Sequence, residues 1–227
     1  MDGPPDVRLA DVSGIDRREL LVRGGRVAAA AGVLPWWRLG RSVEGGDSRL
    51  RELRRGFAGD VVGRGERGYD RARVLYNPRF DGTKPLGVAF CENASDVERS
   101  IVWARRHGVR IAARSGGHSY AGYSTTSGLV VDVSRLNRVA VDVSGGGAAI
   151  GAGAKAIDVD DALWRRRRAI PTGSCPTVGV AGLALGGGVG FSSRLFGTTA
   201  DNVLEARIVD ARGRLLVCNP REHGDLY

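Results

Sequence analysis

Residues 114–124 read Arg-Ser-Gly-Gly-His-Ser-Tyr-Ala-Gly-Tyr-Ser and connect two apolar runs, at 109–113 and 129–133. The stretch has no hydrophobic face, so it predicts a turn between two buried strands. Because glycine accepts a positive φ and a close backbone approach, such a turn can aim several N–H groups at one anion. The motif is short, however, and by itself it is explained equally well by a surface loop with a chance histidine.

The sequence around this turn predicts a sheet with helices packed against it. A core strand is predicted at 85–91, and the helix after it has Ser95 as N-cap and Glu98 three residues later, a capping-box pattern. Gly108 is a helix stop signal before the strand at 109–113. An order of strand, helix and strand favours a sheet covered by helices. Further strands are predicted at 129–133, 139–143, 148–152, 203–209 and 215–218, and a further helix at 157–168.

A second unusual stretch lies at 171–190, where seven glycines alternate with small side chains. These side chains are too small to build a core, so we expect the segment to pack against another backbone or a large flat ligand. Cys175 lies in this segment, immediately before a proline. From the residues alone, its simplest interpretation is a free thiol in a tight loop.

Composition and charge narrow the classes of protein. The net charge is +9, but the arginines are scattered and do not form the basic stripe with interleaved aromatics that is typical of a nucleic-acid-binding face. Three cysteines, at 91, 175 and 218, are an odd number and argue against a framework built only of disulfides. The histidines have no metal-ligand spacing, and no apolar run approaches the roughly 20 residues that cross a bilayer.

Taken together and in order, three motifs resemble one family. They are Arg-Ser-Gly-Gly-His-Ser-Tyr at 114–120, Gly-Ser-Cys-Pro-Thr-Val-Gly-Val-Ala-Gly at 173–182 and Gly-Gly-Gly-Val-Gly at 186–190. The set is similar to the FAD-linked oxidases of the p-cresol methylhydroxylase / vanillyl-alcohol oxidase superfamily, and most of all to the berberine-bridge-enzyme-like branch. The resemblance covers residues 57–227. It implies an α+β, two-subdomain FAD-binding fold that is incomplete at its C-terminus, because relatives continue into a substrate domain.

The resemblance also implies the site. The histidine loop would hold the FAD diphosphate, His118 would bond the flavin 8α carbon, and Cys175 would bond C6; no metal is expected. Such bonds need a neutral imidazole and a thiolate. The implied cofactor-binding residues are Arg114, Ser115, Gly116, Gly117, His118, Ser119, Tyr120, Ser124, Cys175, Val178, Gly179, Gly182, Gly186, Gly187, Gly188, Gly190 and Ile208.

For function, the resemblance implies an oxidase that takes a hydride from a small-molecule substrate onto the flavin and passes the electrons to O2, giving H2O2. Three alternatives stay open. The chain could be a non-catalytic flavin-binding fragment or pseudo-oxidase, since the expected substrate domain and catalytic base lie beyond residue 227. A non-covalent flavin reductase of the same fold is disfavoured by the presence of both His118 and Cys175. A basic protein that binds nucleic acid has little support.

The N-terminal residues suggest a separate role. Arg17 and Arg18 precede a modestly apolar run at 27–34, which resembles a twin-arginine export signal over residues 1–40 and predicts an exported protein. The alternatives are an alanine-rich amphipathic or disordered N-terminus and a cytoplasmic protein. An arginine-rich lead-in at 41–56, with a short helix around Leu50 and Leu53, is expected before the FAD-binding domain at 57–227.

Overall fold

The computed structural model describes residues 10–11 and 47–227. The export signal predicted at 1–40 and the start of the lead-in therefore lie outside the described residues, apart from Ala10–Asp11. The strands are β1 (Ala10–Asp11), β2 (Asp60–Gly63), β3 (Gly87–Phe90), β4 (Ile111–Arg114), β5 (Leu129–Asp132), β6 (Val139–Asp142), β7 (Gly147–Ile150), β8 (Arg168–Ala169), β9 (Ala206–Val209) and β10 (Leu215–Cys218). The helices are α1 (Ser48–Arg54), α2 (Tyr69–Arg73), α3 (Ala94–Arg106), α4 (Ala156–Trp164), α5 (Val180–Leu185) and α6 (Ser193–Phe196), with 3₁₀ turns at Pro78–Phe80 and Ala200–Asn202.

A four-stranded sheet in the order β2-β3-β5-β4 carries the histidine loop. β5 runs parallel to both β3 and β4, and β2 pairs antiparallel with β3 at the edge. All four residues of β5 are buried, as expected for a central strand covered on both faces. The loop at 115–128 therefore leaves the carboxyl end of β4 and returns to the start of β5.

The largest core cluster lies between this sheet and helices α1 and α3. Leu50 and Leu53 of α1 are fully buried against Trp103 of α3 and Leu129 of β5. Burying such side chains stabilises a fold by about 1.5–3 kcal/mol each. The short helix predicted around the two leucines is confirmed, and it packs against the sheet.

Helix α3 confirms the predicted helix but corrects its N-cap. Asn93 is the cap: its backbone is extended and its side chain accepts a hydrogen bond from the Asp96 amide at 2.9 Å. Ser95 lies within the first turn instead. The carboxylate of Asp96 is buried and accepts from the amides of Ala58 and Glu92, at 2.8 and 2.9 Å, so tertiary contacts decide where the helix begins. The predicted stop is confirmed, because Gly108 has a φ of +60° just after the helix.

A second, smaller core lies beyond the sheet, where the β6-β7 hairpin packs against α4 and the start of α5. Its buried members are Ala154, Val159, Leu163 and Val180. The helix predicted to reach residue 168 is too long. The chain turns after Trp164, Arg167 has a left-handed φ of +54°, and β8 then pairs with β1. Beyond this core, β9 and β10 form the hairpin that the sequence predicts.

A buried ion pair supports the carboxyl end of the sheet. Arg114 and Asp132 are register partners at the ends of β4 and β5, and the Arg114 Nε lies 2.5 Å from an Asp132 carboxylate oxygen. A second guanidinium nitrogen donates to the Ala72 carbonyl at 2.7 Å. Both side chains are nearly inaccessible, so the pair anchors the point where the histidine loop begins.

Breaking this pair should destabilise the chain strongly. In Asp132→Ala the Arg114 guanidinium stays buried without its counter-charge, and we expect a loss of about 3–5 kcal/mol in the free energy of unfolding, measured by urea titration. Asp161→Ala is the matched control, because it breaks the exposed Arg165–Asp161 pair and should cost about 0–1 kcal/mol. Equal small losses in the two variants would contradict the anchoring role.

Candidate functional site

The loop after β4 presents a row of backbone amides. The N–H groups of residues 115–119 donate to no acceptor within 47–227. Gly117, with a φ of +71°, bends the chain in the middle of the row, and its carbonyl accepts from the Tyr76 amide at 3.3 Å. Successive unpartnered amides of this kind form a concave site for an anion. The loop therefore has backbone amides available to an anion, and binding of a diphosphate there stays a prediction.

The two unusual stretches of the sequence meet backbone to backbone. A Cβ on Gly116 would lie 2.3 Å from the Gly179 nitrogen, and a Cβ on Gly179 would lie 2.0 Å from the Ser115 hydroxyl oxygen. No side chain fits at either position. Lys155 pairs with Gly179 on its other side, in an isolated β-bridge. The contact therefore joins the histidine loop on the sheet to the glycine-rich segment of the second core.

His118 is held on two sides. Its Nε2 lies 2.9 Å from the Thr177 hydroxyl, and its ring stacks on Tyr76 with centroids 3.9 Å apart and planes 18° from parallel. Burial, and then the positive charge of Lys155, lower the pKa of His118 below its ordinary value of 6.5. The imidazole is therefore mainly neutral at neutral pH, the form that can act as a nucleophile.

Cys175 lies in the same turn as the residue that contacts His118. It is a half-buried free thiol, and its carbonyl accepts from the Val178 amide at 3.3 Å, which closes a tight turn over 175–178. Thr177 is the third residue of that turn. The free thiol therefore lies in the turn that contacts the imidazole, although 57 residues separate Cys175 from His118 in sequence.

The glycines after α5 leave open space. A Cβ on Gly182 or Gly187 would meet no described atom within 4 Å, and one on Gly186 would meet nothing closer than 3.6 Å. Gly188, in contrast, is packed: its carbonyl accepts from the amide of the buried Thr199 at 2.8 Å. One side of this segment is therefore fixed to protein while the other is free for a flat group to approach.

The other predicted site residues lie at various depths. The Arg114 side chain is directed into the sheet towards Asp132, whereas Tyr120 is 89% exposed. Ser124 is half-buried in the loop, and Ile208 lies in β9 opposite Leu216. Gly190 is packed so closely against the Thr172 carbonyl that no side chain fits there. Cofactor binding by these residues stays a prediction.

Sequence reasoning did not single out Tyr76, Thr177 or Thr199. Thr177 lies within the second of the three motifs, but no local pattern indicates that its hydroxyl faces a histidine 59 residues earlier. Tyr76 precedes a 3₁₀ turn and has the pattern of an ordinary loop aromatic. Thr199 donates to the Pro171 carbonyl at 2.7 Å, a contact across 28 residues that only the fold creates.

Within residues 47–227 no group of histidine, cysteine, aspartate or glutamate side chains is arranged to hold a metal ion. Among the same residues, no helix has the length and apolar character needed to span a membrane.

Comparisons with known proteins agree with this geometry. Residues 85–219 match the FAD binding domain family. (R)-6-hydroxynicotine oxidase of Paenarthrobacter nicotinovorans is 35% identical over 170 residues, 74% of this chain and 37% of that protein. Berberine bridge enzyme-like Cyn d 4 of Cynodon dactylon is 41% identical over 140 residues, 59% of this chain and 27% of that protein. The solved structure of BBE-like 1 from Physcomitrella patens has a TM-score of 0.75 at 37% identity, over 78% of this chain and 39% of its own.

Fold and site together define an FAD-binding domain of the p-cresol methylhydroxylase type, as the sequence resemblance implies. Within that class, the chain belongs to the family of FAD-linked oxidoreductases that includes 6-hydroxynicotine oxidase and the berberine bridge enzyme-like proteins. It spans 37% of the length of the first of these relatives and 27% of the second.

The environment of His118 should be visible in its titration. We expect the His118 resonances, assigned by their loss in His118→Asn, to titrate below pH 6.5 in NMR spectra of the chain prepared without flavin. Lys155→Gln should raise that pKa, because it removes a positive charge that opposes protonation. The depressed pKa also means that the unfolded chain binds more protons below pH 6.5, so this group should cost stability as the pH falls through that value. A His118 midpoint above 6.5 would contradict the burial and charge effects.

The contact of Gly116 with Gly179 should tolerate no side chain. Gly116→Ala forces the two backbones apart, and we expect a loss of about 1–3 kcal/mol of stability and a lower flavin-to-protein ratio after purification. Gly82→Ala is the control, because a Cβ there meets no described atom within 4 Å and its φ is ordinary. If Gly116→Ala keeps the stability and flavin content of Gly82→Ala, the two loops do not depend on this contact.

Proposed function

We propose that this chain is the FAD-binding part of an FAD-dependent oxidase and that it holds the flavin covalently through His118 and Cys175. The observation that carries the proposal is that one turn both contains the free thiol and contacts the imidazole. The turn at 175–178 begins with the free thiol, and its third residue contacts the imidazole at 2.9 Å.

The residues present fit FAD. The unpartnered amides of 115–119 suit the diphosphate, since they offer a concentrated positive dipole without a mobile side chain. The open faces of Gly182, Gly186 and Gly187 give a flat ring room to approach backbone. When bound, FAD supplies two-electron chemistry: it accepts a hydride and passes the electrons on.

The protein's own residues would bind and orient the cofactor. A neutral His118 offers a lone pair without first losing a proton, and its lowered pKa keeps it in that form. Cys175 would act as a thiolate, the reactive form of cysteine. The buried Arg114–Asp132 pair supports the loop from below. A cofactor bonded at two points cannot dissociate.

Oxidase turnover is proposed for the whole protein. Relatives at this similarity are named as oxidases, among them (R)-6-hydroxynicotine oxidase and a solved chitooligosaccharide oxidase with a TM-score of 0.71. We propose the same class of reaction here: hydride transfer from a small organic substrate to the flavin, and reduction of O2 to H2O2. The chain covers 38% of the solved oxidase. We propose that substrate contacts in such a protein come from the part outside this match.

Covalent attachment can be counted by mass spectrometry. After expression with FAD and acid denaturation, we expect the wild-type chain to carry one FAD with four hydrogens fewer than the sum of the parts. Each bond replaces one hydrogen on the flavin and one on the residue, and dioxygen takes these two protons and two electrons as H2O2. His118→Ala and Cys175→Ala should each retain FAD through one bond, and the double variant should retain none.

Cys218→Ala is the control for this experiment, because it removes a fully buried thiol in β10 and should leave both bonds intact. Complete release of FAD from the denatured wild-type chain would show that the flavin is not covalently held. The chain would then be a non-covalent member of the same fold.

A further inference from the structure

We infer that Thr177 is a positioning residue for flavin attachment: its hydroxyl, with the ring of Tyr76, holds His118 so that Nδ1 faces the reacting carbon. The inference rests on the proposed covalent attachment and adds to it a residue that sets the orientation of the imidazole. It starts from two contacts that the binding of FAD does not require. Those contacts are the hydrogen bond from His118 to Thr177 and the stacking of His118 on Tyr76.

The two imidazole nitrogens of His118 have different surroundings. A neutral histidine has a proton on one nitrogen and a lone pair on the other. The His118 Nε2 is engaged by the Thr177 hydroxyl, while Nδ1 contacts no partner within 47–227. Only the tautomer with its proton on Nε2, donated to the Thr177 oxygen, leaves a lone pair on the open nitrogen. Thr177 engages Nε2 whichever of the two groups donates, and so leaves Nδ1 as the nitrogen that is open to a reacting carbon.

Stacking on Tyr76 restricts rotation of the His118 ring. The Tyr76 ring lies 3.9 Å from the imidazole and 18° from parallel, so a large turn of the imidazole about its Cβ–Cγ bond would break the stacking. The amide of Tyr76 donates to the Gly117 carbonyl at 3.3 Å. Because Gly117 immediately precedes His118, this hydrogen bond ties the backbone of Tyr76 to the backbone that carries the histidine.

The backbone around Thr177 is fixed by contacts on two sides. The turn at 175–178 is closed by its own hydrogen bond, and the Pro176 carbonyl accepts from the Ile157 amide of α4 at 3.0 Å. On the other side, the Thr177 carbonyl lies where a Cβ on Gly116 would come within 2.8 Å of it. The backbone of Thr177 is thus held between α4 and the histidine loop, which keeps its hydroxyl within reach of His118.

Bond formation at Nδ1 balances in atoms and electrons, and Thr177 has a role in it. The Nδ1 lone pair forms the bond to the 8α carbon, one C–H bond of that methyl group breaks, and the Nε2 proton leaves. Two electrons and two protons are released in total, and dioxygen takes them as H2O2. In the tautomer with its proton on Nε2, the Thr177 oxygen accepts the hydrogen bond from Nε2–H, so it lies where that proton must depart.

The test uses Cys175→Ala as the parent, so that only the histidine bond can form. Apoprotein is mixed with FAD, and the fraction of chains that carry flavin after denaturation is followed by mass spectrometry. Thr177→Val has a similar shape without the hydroxyl, and we expect it to attach FAD about tenfold more slowly, the ratio for loss of one hydrogen bond. Thr177→Ser should restore the rate. Tyr76→Phe should keep the rate, and Tyr76→Ala should lower it.

A second readout separates positioning from general support of the fold. With ¹⁵N-labelled histidine, NMR of the isolated flavin peptide identifies the bonded nitrogen. We expect Nδ1 alone in the parent and a mixture of Nδ1 and Nε2 in Thr177→Val, because a merely structural residue would not change the atom that reacts. Thermal melts and reversible FAD binding confirm that each variant folds, and Thr177→Ala replaces valine if that variant does not.

The outcomes separate the two proposals. If the Cys175→Ala parent carries no covalent flavin, the proposed attachment through His118 fails, and this inference fails with it. If the parent attaches FAD but does so through Nε2, or if Thr177→Val attaches it at the parental rate through Nδ1 alone, only the role of Thr177 is overturned.

Discussion

The close approach of Gly116 to Gly179 is the constraint on which the site depends. Two backbones meet there with no room for a Cβ on either, so the distance between the two stretches is set by main-chain atoms. The functional residues flank this point at short range. His118 lies two residues after one glycine and Thr177 two residues before the other, so the meeting of the backbones brings their side chains within 2.9 Å of each other.

This contact is anchored on both sides. On the sheet side, the buried Arg114–Asp132 pair holds the carboxyl end of β4, and the second core holds the glycine-rich segment through the bridge of Lys155 to Gly179. In this arrangement the charge of Arg114 is not available to a ligand on the histidine loop. The Arg114 guanidinium is neutralised inside the protein, so an anion on the loop would face backbone dipoles, with Lys155 as the cation that lowers the pKa of His118.

Much of the fold could be predicted because its signals are local. The strands around the loop follow from short apolar runs, and the end of α3 follows from Gly108, whose positive φ suits glycine. The errors arose where distant residues decide. Ser95 fits a capping box, but the cap is Asn93, whose side chain accepts from the Asp96 amide. The Asp96 carboxylate in turn accepts from the amides of Ala58 and Glu92. Likewise α4 ends at Trp164 although helix-compatible residues continue to 168.

By itself, the sequence determined the class of protein and pointed to a histidine and a cysteine as candidate site residues, because the order of its glycines, histidine and cysteine along the chain is a specific pattern that can be recognised without any distance. Only the tertiary structure decided how those residues meet. Thr177 and Tyr76 contact His118 through space, across 59 and 42 residues of chain, and no local pattern encodes such a contact. The physical reason is that tautomer, ring orientation and pKa depend on distance and burial, which exist only once the sheet and the second core have packed together.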